Sequence, residues 1–571
     1  MLTLARIDTQ KARPLALEDA PSLADQLVKS LAAAGITQYF GVPGGAIEPL
    51  FNALSRQQRA GAIRLTPTRS EAGAAFAADG YFRATQQMAV CTATTGPGTT
   101  NLITAVMSAH ADRIPMLVLT PQVTSSKQGR GALQDSSSDG YDLERILAEC
   151  TRYSSHVTHP EQLPHKLARA LSKAWGSPGG PVHLSFSSDL LAAKPLANPL
   201  SISFSRPTRA PVDEVALRLM VEELLCASAP VLYVGDDAGP EAERILSVGL
   251  SLGARVVASP AGKRWISHTH RAYRGVLGFS GNPEASRAVA GSDLIVAFGA
   301  TFDELSTNAW SVLPASVPLF SVDTHDCHAY RLPHARAVVA PLGRTLDEVE
   351  ACLPSRAQQK ALNSMLPPAP VRSSEDGAVH PADLMRWLSQ ELPPDVVVHV
   401  DAGNGFSWST RDLVRPQPDT YRVAMGAASM CWAIGAAIGA AIGNPRRTLC
   451  VCGDGSMLMS SLELTVAVEQ KLPVTYLVLN DSSLGMVRHG QRLAGAEPVG
   501  FEIAAVRFDR LARACGARGQ RVNTLGDLQR IPRAWLASDK GGPALIDVRI
   551  DRGAVPPMAD RVLGLAMGVP K

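Results

Sequence analysis

Short apolar runs alternate with segments of helical periodicity along most of the chain. Runs rich in Val, Ile and Leu are followed by Ala-rich segments whose apolar positions recur every three or four residues. Buried parallel strands give such continuous apolar runs, and the helices between them cover both faces of the sheet. The pattern predicts the α/β fold class, with three doubly wound parallel-sheet domains.

Two Pro-rich stretches divide the chain into three blocks. Residues 192–210 and 353–374 lack regular apolar periodicity and are rich in Pro and Ser, as linkers between domains are. We therefore expect an N-terminal domain over residues 21–191, a central domain over 211–352 and a C-terminal domain over 375–555.

The first and third blocks share one order of elements. In each, a helix and a strand lead to a glycine turn, and an Ala/Gly-rich helix and a second strand lead to a glycine loop. These turns and loops are GVPGG (41–45) and GPG (96–98) in the first block, and DAGNG (401–405) and GDG (453–455) in the third. Either any two doubly wound domains look alike, or these two are related and form one composite site.

The GDG turn is the sharpest local signal. It follows an apolar strand and precedes a helix that we expect over residues 458–469. Ligands of parallel sheets bind at the carboxyl ends of strands, and free N–H groups at a helix N-terminus bind phosphate. The next strand ends at Asp481, 27 residues after Asp454. Neighbouring parallel strands would bring both carboxylates to one edge, where they and phosphate oxygens suit Mg²⁺.

A GDG turn followed some two dozen residues later by two asparagines is the signature of thiamine diphosphate-dependent enzymes. The chain resembles the acetolactate synthase-like (acetohydroxyacid synthase) branch of that family over nearly its whole length. The matching stretches are FGVPGGAIEPL, SEAGAAFAADGYFRA, TTGPGTTNLITAV, DRIPMLVLTPQV, GGPVHLSFSSDLL and LNDSSLGMV. The resemblance implies a pyrimidine-binding first domain, a Rossmann-like central domain and a diphosphate-binding third domain.

The resemblance also implies roles for individual residues. Glu71 would be a catalytic residue that hydrogen-bonds the aminopyrimidine ring of thiamine diphosphate, and Gln134 a catalytic residue facing the substrate. Pro43 would contact the cofactor, and Met430 would hold it in a bent shape. The expected diphosphate contacts and Mg²⁺ ligands all lie in the third block. The contacts are Asn404, Gly405, Gly455 and Ser456, and the ligands are Asp454, Asp481 and the carbonyl of Ser483.

The activity implied is decarboxylation of a 2-keto acid and ligation of the acyl group to a carbonyl acceptor. Residues 121–140 lack the paired histidines of the pyruvate decarboxylase branch, which favours ligation over plain decarboxylation. Ser70 stands where relatives often carry His, and Asp481 replaces the second signature Asn. The alternatives are a non-oxidative decarboxylase or carbon–carbon lyase, a flavin-dependent oxidase, and a non-catalytic cofactor-binding paralogue. FAD is possible but not favoured, because residues 234–239 (VGDDAG) contain no GxGxxG motif.

The composition and charge of the chain indicate which classes of partner to expect. The 55 basic and 52 acidic residues give a net charge of +3, without any block of like charge, so no nucleic-acid partner is expected. The longest apolar run, 433–442, is about half of the ~20 residues that span a bilayer, so no membrane partner is expected. The first 14 residues contain no signal-peptide apolar region, and the cysteines follow no disulfide pattern, so we expect a cytoplasmic protein. The resemblance implies a homodimer or homotetramer with active sites between chains.

Overall fold

The computed structural model describes residues 20–198, 212–324, 328–353, 377–559 and 561–562. Within these residues the chain forms three six-stranded sheets, and all strand pairs within them are parallel. The predicted fold class is therefore confirmed. Most of the two expected linkers, and the expected domain starts at 211 and 375, lie outside the described residues, so the domain limits stay a prediction.

The first sheet has the strand order β2-β1-β3-β4-β6-β5. Its strands are β1 (Gln38–Gly41), β2 (Arg64–Pro67), β3 (Val90–Thr92), β4 (Met116–Gln122), β5 (Ser154–Val157) and β6 (Pro181–Ser187). The helices around it are α1 (Leu23–Ala33), α2 (Glu48–Arg59), α3 (Glu71–Thr85), α4 (Pro97–Ala111), α5 (Leu143–Ala148), α6 (Leu163–Ala174) and α7 (Ser188–Ala192).

The central sheet has the order β12-β11-β10-β7-β8-β9. Its strands are β7 (Pro230–Val234), β8 (Arg255–Ala258), β9 (Tyr273–Val276), β10 (Leu294–Phe298), β11 (Leu319–Asp323) and β12 (Ala335–Val339). Its helices are α8 (Glu214–Cys226), α9 (Ala242–Leu252), α10 (Pro283–Ala290) and α11 (Leu342–Cys352).

The third sheet has the order β14-β13-β15-β16-β18-β17. Its strands are β13 (Val397–Val400), β14 (Tyr421–Arg422), β15 (Thr448–Gly453), β16 (Val474–Asn480), β17 (Arg518–Val522) and β18 (Ala544–Arg549). Its helices are α12 (Pro381–Glu391), α13 (Asn404–Asp412), α14 (Trp432–Gly443), α15 (Asp454–Ser460), α16 (Leu464–Glu469), α17 (Gly485–Leu493), α18 (Phe508–Ala514) and α19 (Ala534–Ala537).

The first and third sheets have the same topology. Numbered within each sheet, both have the strand order 2-1-3-4-6-5, whereas the central sheet has the order 3-2-1-4-5-6. The central sheet is also parallel and covered by helices, so the shared order is not common to every doubly wound domain in this chain. The comparison favours the interpretation of the first and third blocks as related domains.

The Ala/Gly-rich helices α3 and α14 join these two domains. Gly80 of α3 faces Ala436 of α14, where an added Cβ would lie 2.5 Å from the Ala436 carbonyl carbon. Gly439 faces Ala77 in the same way, and an added Cβ would overlap its carbonyl oxygen. The low aromatic content of the chain thus has a structural reason here, because only small residues let two helix backbones come this close.

The prediction of one helix over residues 458–469 is wrong in its limits. Helix α15 begins at Asp454, directly after β15, and ends at Ser460. A short 3-10 turn, Ser461–Glu463, separates it from α16. The earlier start places Gly455 and Ser456 in the first helical turn, where their N–H groups are free of the helix ladder.

Candidate functional site

A cavity of about 1100 Å³ opens among the three domains. Loops at the carboxyl ends of β13, β15 and β16 form one wall, and loops after β7 and β10 of the central sheet form another. Eight of the residues expected at the site line this cavity. They are Asn404, Gly405, Met430, Asp454, Gly455, Ser456, Asp481 and Ser483.

Two helix N-termini end at this cavity. Helix α13 begins at Asn404, after Gly403 has turned the chain at φ +109°, and α15 begins at Asp454. Asn404 Oδ1 is buried and has no hydrogen-bond donor among the described residues. Helix N-termini attract anions through their free N–H groups and their dipoles. The arrangement fits a phosphate-containing ligand that also brings a hydrogen-bond donor or a cation to Asn404.

Asp454 and Asp481 lie side by side at one edge of the third sheet, because β15 and β16 are parallel neighbours. The Asp481 N–H donates to Asp454 Oδ2 at 3.1 Å, and the Gly455 N–H donates to Oδ1 at 2.8 Å. Burial and the Asp481 carboxylate together raise the pKa of Asp454 to about 7, against the opposing effect of backbone hydrogen bonds from Gly455, Ser482 and Ser483. A cation between the two carboxylates would relieve their repulsion.

The side chains near Asp454 and Asp481 do not by themselves form a complete metal site. No group of three or more His, Cys, Asp and Glu side chains is placed to hold a metal anywhere in the described ranges. A cation at Asp454 and Asp481 must therefore complete its shell with backbone, water or ligand oxygens, which Mg²⁺ accepts readily. This fits a site where the phosphate groups of a cofactor supply part of the coordination.

Close packing, and not a turn conformation, explains why position 455 is a glycine. An added Cβ would lie 2.7 Å from Leu484 Cδ2 and 3.4 Å from Met430 Cε. The side chain of Met430 thus lies directly over the first turn of α15, on the wall of the cavity. The structure brings Met430 to the place that the resemblance implies.

Asp401 is a site residue that the sequence reasoning missed. Its buried carboxylate accepts from the Cys431 N–H at 2.9 Å and from the Ala433 N–H at 3.1 Å. It therefore caps α14 and fixes the loop that carries Met430. Burial raises the pKa of Asp401 to about 6, although the hydrogen bonds oppose this. The available signal was its position after β13, in the DAG turn.

The first-block residues form a second, separate group. Glu71, Gln134 and Pro43 are not among the described residues that line the cavity. Glu71 begins α3, is half-buried and accepts from Asn101 Nδ2 at 3.1 Å. Gln134 lies against Gly96, whose added Cβ would be 2.8 Å from Gln134 Cβ, and Pro43 is exposed after β1. One chain thus presents two groups of expected site residues at two places.

The central-domain end of the cavity carries charges of both signs, because Arg264 and Arg331 line it together with Asp236 and Asp303. Asp236 follows β7 and Asp303 follows the neighbouring strand β10. The Thr301 hydroxyl lies 2.5 Å from Asp303 Oδ2 and 3.4 Å from Asp236 Oδ2. Burial and the Asp303 carboxylate raise the pKa of Asp236 to about 7. Two neighbouring carboxyl groups thus lie at the carboxyl ends of strands, where dinucleotides bind in doubly wound folds.

Comparison with known proteins agrees with this geometry. Three family models match: the thiamine pyrophosphate enzyme N-terminal TPP binding domain at residues 21–143, its central domain at 217–349 and its C-terminal TPP binding domain at 401–548. Among the described residues, no helix is both long and apolar enough to cross a bilayer.

Individual relatives match over nearly the full chain. The large subunit of acetolactate synthase isozyme 2 from Escherichia coli (strain K12) is 31% identical over 537 residues, 92% of this chain and 95% of the relative. The probable 2-ketoarginine decarboxylase AruI of Pseudomonas aeruginosa is also 31% identical, over 92% of this chain and 93% of its own.

A solved structure shows the same architecture. The thiamine diphosphate-dependent 4-hydroxybenzoylformate decarboxylase of Rhodococcus jostii RHA1 superposes with a TM-score of 0.80 at 25% identity, covering 93% of this chain and 99% of that one. The resemblance noted from the sequence is thereby confirmed. This chain belongs to the thiamine pyrophosphate-dependent enzymes of the acetolactate synthase family.

Proposed function

We propose that this enzyme decarboxylates a 2-keto acid and ligates the acyl group to a carbonyl acceptor, using thiamine diphosphate and Mg²⁺. The observation that carries the proposal is the pair Asp454 and Asp481 beside the N-terminus of α15. The similarity to acetolactate synthase over nearly the whole chain supports ligation as the outcome. Pyruvate and 2-oxobutyrate are the donors to test first.

The residues of the cavity would bind and orient the cofactor. Asp454, Asp481 and the carbonyl of Ser483 would hold Mg²⁺, and the N-termini of α13 and α15 would hold the diphosphate. Met430 would support the bent shape from its position over Gly455. When bound, thiamine diphosphate supplies the carbon nucleophile and the electron sink for loss of CO₂. Glu71 would share a proton with the ring nitrogen of the cofactor.

We also propose that the complete site lies between two copies of the chain. Glu71, Gln134 and Pro43 lie outside the cavity of their own chain, so a partner copy would have to supply them. Two helices carry exposed apolar side chains near the expected site residues. Helix α4 lies in the first domain and α15 in the third. The exposed side chains are Met107 on α4 and Leu458 and Met459 on α15. A homodimer, or a homotetramer built from dimers, would cover them.

The proposed function includes no flavin. Residues 234–239 (VGDDAG), at the carboxyl end of β7, contain no GxGxxG motif for a dinucleotide diphosphate. No step of the proposed reaction uses a flavin. A purified protein with the absorption spectrum of a flavin would contradict this part of the proposal.

Product analysis tests the proposed reaction. The enzyme is supplied with thiamine diphosphate, Mg²⁺ and pyruvate, with and without an added carbonyl acceptor, and CO₂ and organic products are measured. We expect a ligation product and a large loss of turnover in Glu71→Gln. An E71Q enzyme with unimpaired turnover would refute the role of Glu71, and bound cofactor without any keto-acid consumption would indicate a non-catalytic paralogue.

Plain decarboxylation is the second candidate, because both AruI and the Rhodococcus jostii enzyme are named as decarboxylases. The same assay separates the two reactions. Aldehyde released in equal amount to CO₂, without any ligation product from a panel of acceptors, would favour decarboxylation. A ligation product that accounts for most of the CO₂ released would favour the synthase reaction.

A further inference from the structure

A buried carboxylate outside the cavity connects the third domain to α3. Glu463 is only 2% exposed and ends the 3-10 turn that follows α15. Burial raises the pKa of Glu463, and hydrogen bonds from Ser70 and Arg69 oppose that shift. Neither the proposed cofactor contacts nor the proposed metal ligands include this residue. A buried carboxylate is costly unless hydrogen bonds or a charged partner replace its lost hydration.

The contacts of Glu463 are all with the start of α3. Its Oε1 accepts from the Ser70 backbone N–H and from the Ser70 hydroxyl, both at 2.8 Å. Its Oε2 accepts from the Arg69 N–H at 3.3 Å. Ser70 is the N-cap of α3, and its Oγ accepts from the Gly73 N–H at 3.0 Å. Glu463 therefore fixes the side chain and the backbone of the capping residue at once.

Gly73 provides the space that Glu463 occupies. A Cβ at position 73 would lie 2.5 Å from Glu463 Cδ and 2.9 Å from Ser70 Oγ. No side chain larger than hydrogen fits at position 73 while the Glu463 carboxylate remains in place. The two residues are thus complementary across the domain contact.

Arg69 is held by the same segment of the third domain, but through its side chain. Its Nε donates to Thr465 Oγ1 at 2.8 Å, and its guanidinium forms an ion pair with Glu469, which is 58% exposed. These exposed contacts are weaker than the buried ones of Glu463. The Ser70 N–H donates to Glu463, whereas the Ser70 carbonyl accepts from the Thr68 hydroxyl at 2.8 Å.

We propose that Glu463 is a positioning residue that fixes the first turn of α3 and thereby aims the Glu71 carboxyl at the cofactor. This proposal rests on the proposed function, because it needs Glu71 as the residue that contacts the ring. Glu71 directly follows Ser70, and within the described part of the chain its carboxylate accepts one side-chain hydrogen bond, from Asn101. A misplacement of about 1 Å at a reacting group costs roughly 100-fold in rate.

The test compares Glu463→Ala and Glu463→Gln in the full-length enzyme, with Glu469→Ala as the matched control. The measurements are kcat and KM for pyruvate, the Kd for thiamine diphosphate with Mg²⁺, and the near-ultraviolet circular dichroism of the bound cofactor. We expect E463A to lose about 10- to 100-fold in kcat, with Kd changed by less than about threefold and an altered cofactor signal. E463Q keeps an acceptor oxygen for Ser70 and should retain most of the activity. E469A should behave like the wild type.

Several outcomes would overturn the positioning role. One is an E463A enzyme with wild-type kcat and cofactor signal, and another is a normal kcat with weakened cofactor binding. If E463A does not fold, Glu463→Asp withdraws the carboxylate by one methylene and carries the test, and wild-type kcat in E463D overturns the proposal. A fully active Glu71→Gln enzyme instead contradicts the proposed function, whereas inactive E71Q beside fully active E463A contradicts positioning alone.

Discussion

Gly439 lies in the middle of α14 and faces the backbone of α3. An added Cβ would overlap the Ala77 carbonyl oxygen, and would lie 2.6 Å from the Ala77 carbonyl carbon and 2.8 Å from the Tyr81 amide nitrogen. We expect Gly439→Ala to destabilise the protein, although alanine is the better helix former. The clash is with backbone atoms, which cannot rotate away as a side chain can.

The magnitude follows from the separation that the methyl group demands. Non-bonded carbon atoms prefer about 3.5–4.0 Å, so the two helices must move apart by about 1 Å. A gap of that size forfeits about a quarter to a half of the attraction of each atom pair across it. Overpacking of this kind costs about 1–3 kcal/mol, and we take the upper value because both partners are backbone. The helix propensity of alanine returns about 1 kcal/mol, which leaves a net loss of about 2 kcal/mol.

Thermal unfolding measures this loss. A destabilisation of about 2 kcal/mol lowers the apparent Tm of a domain of this size by about 4–8 °C. Gly490→Ala is the matched control, because Gly490 is also helical and its added Cβ would meet only Met558 Cε, at an ordinary 3.5 Å. We expect G490A to unfold at or above the wild-type temperature. A G439A protein that unfolds no lower than the wild type would refute the close-packing argument.

Two further predictions concern the carboxylates of the third domain. Asp481→Ala removes an oxygen ligand from the expected cation site, so we expect at least about tenfold weaker Mg²⁺ binding by calorimetry in the presence of thiamine diphosphate, whereas Asp481→Asn keeps an amide oxygen and should bind Mg²⁺ more tightly than Asp481→Ala; equal Mg²⁺ binding by Asp481→Ala and the wild type would contradict a ligand role. Burial raises the folded-state pKa of Asp401 from 3.8 to about 6, so the folded protein binds more protons than the unfolded chain within that window, and stability falls as the pH rises through it. Relative to Asp401→Asn, the wild type should therefore lose about 2 kcal/mol between pH 4 and pH 6 in urea unfolding, and a constant difference across the window would show that Asp401 does not titrate there.

The sequence was most informative where local pattern and topology coincide. The strand that ends at the GDG turn and the next strand were both evident from their apolar runs, and parallel pairing then placed Asp454 and Asp481 on one edge. The helix limits after that turn were wrong, because Gly455 suggested a turn. In the structure it is a helical residue that makes room for Leu484 and Met430.

Other parts of the site had no local signal. Asp401 caps α14 from 30 residues away, and Glu463 holds Ser70, the N-cap of α3, from 393 residues away. The local sequence around each of these residues contains no pattern that predicts its distant partner. The complementary packing of Gly73 and Glu463 could not be predicted from the sequence either, because a glycine near the start of a helix has many explanations.

The sequence by itself determined the three parallel α/β sheets and the edge where the carboxylates of the third domain lie. It could do so because strand and helix periodicity and the shared carboxyl edge of parallel strands are properties of the local chain. Only the tertiary structure decided that Glu71, Gln134 and Pro43 lie apart from the cavity of their own chain. It also decided how closely α3 and α14 approach, since that distance depends on which small residues face each other across two domains.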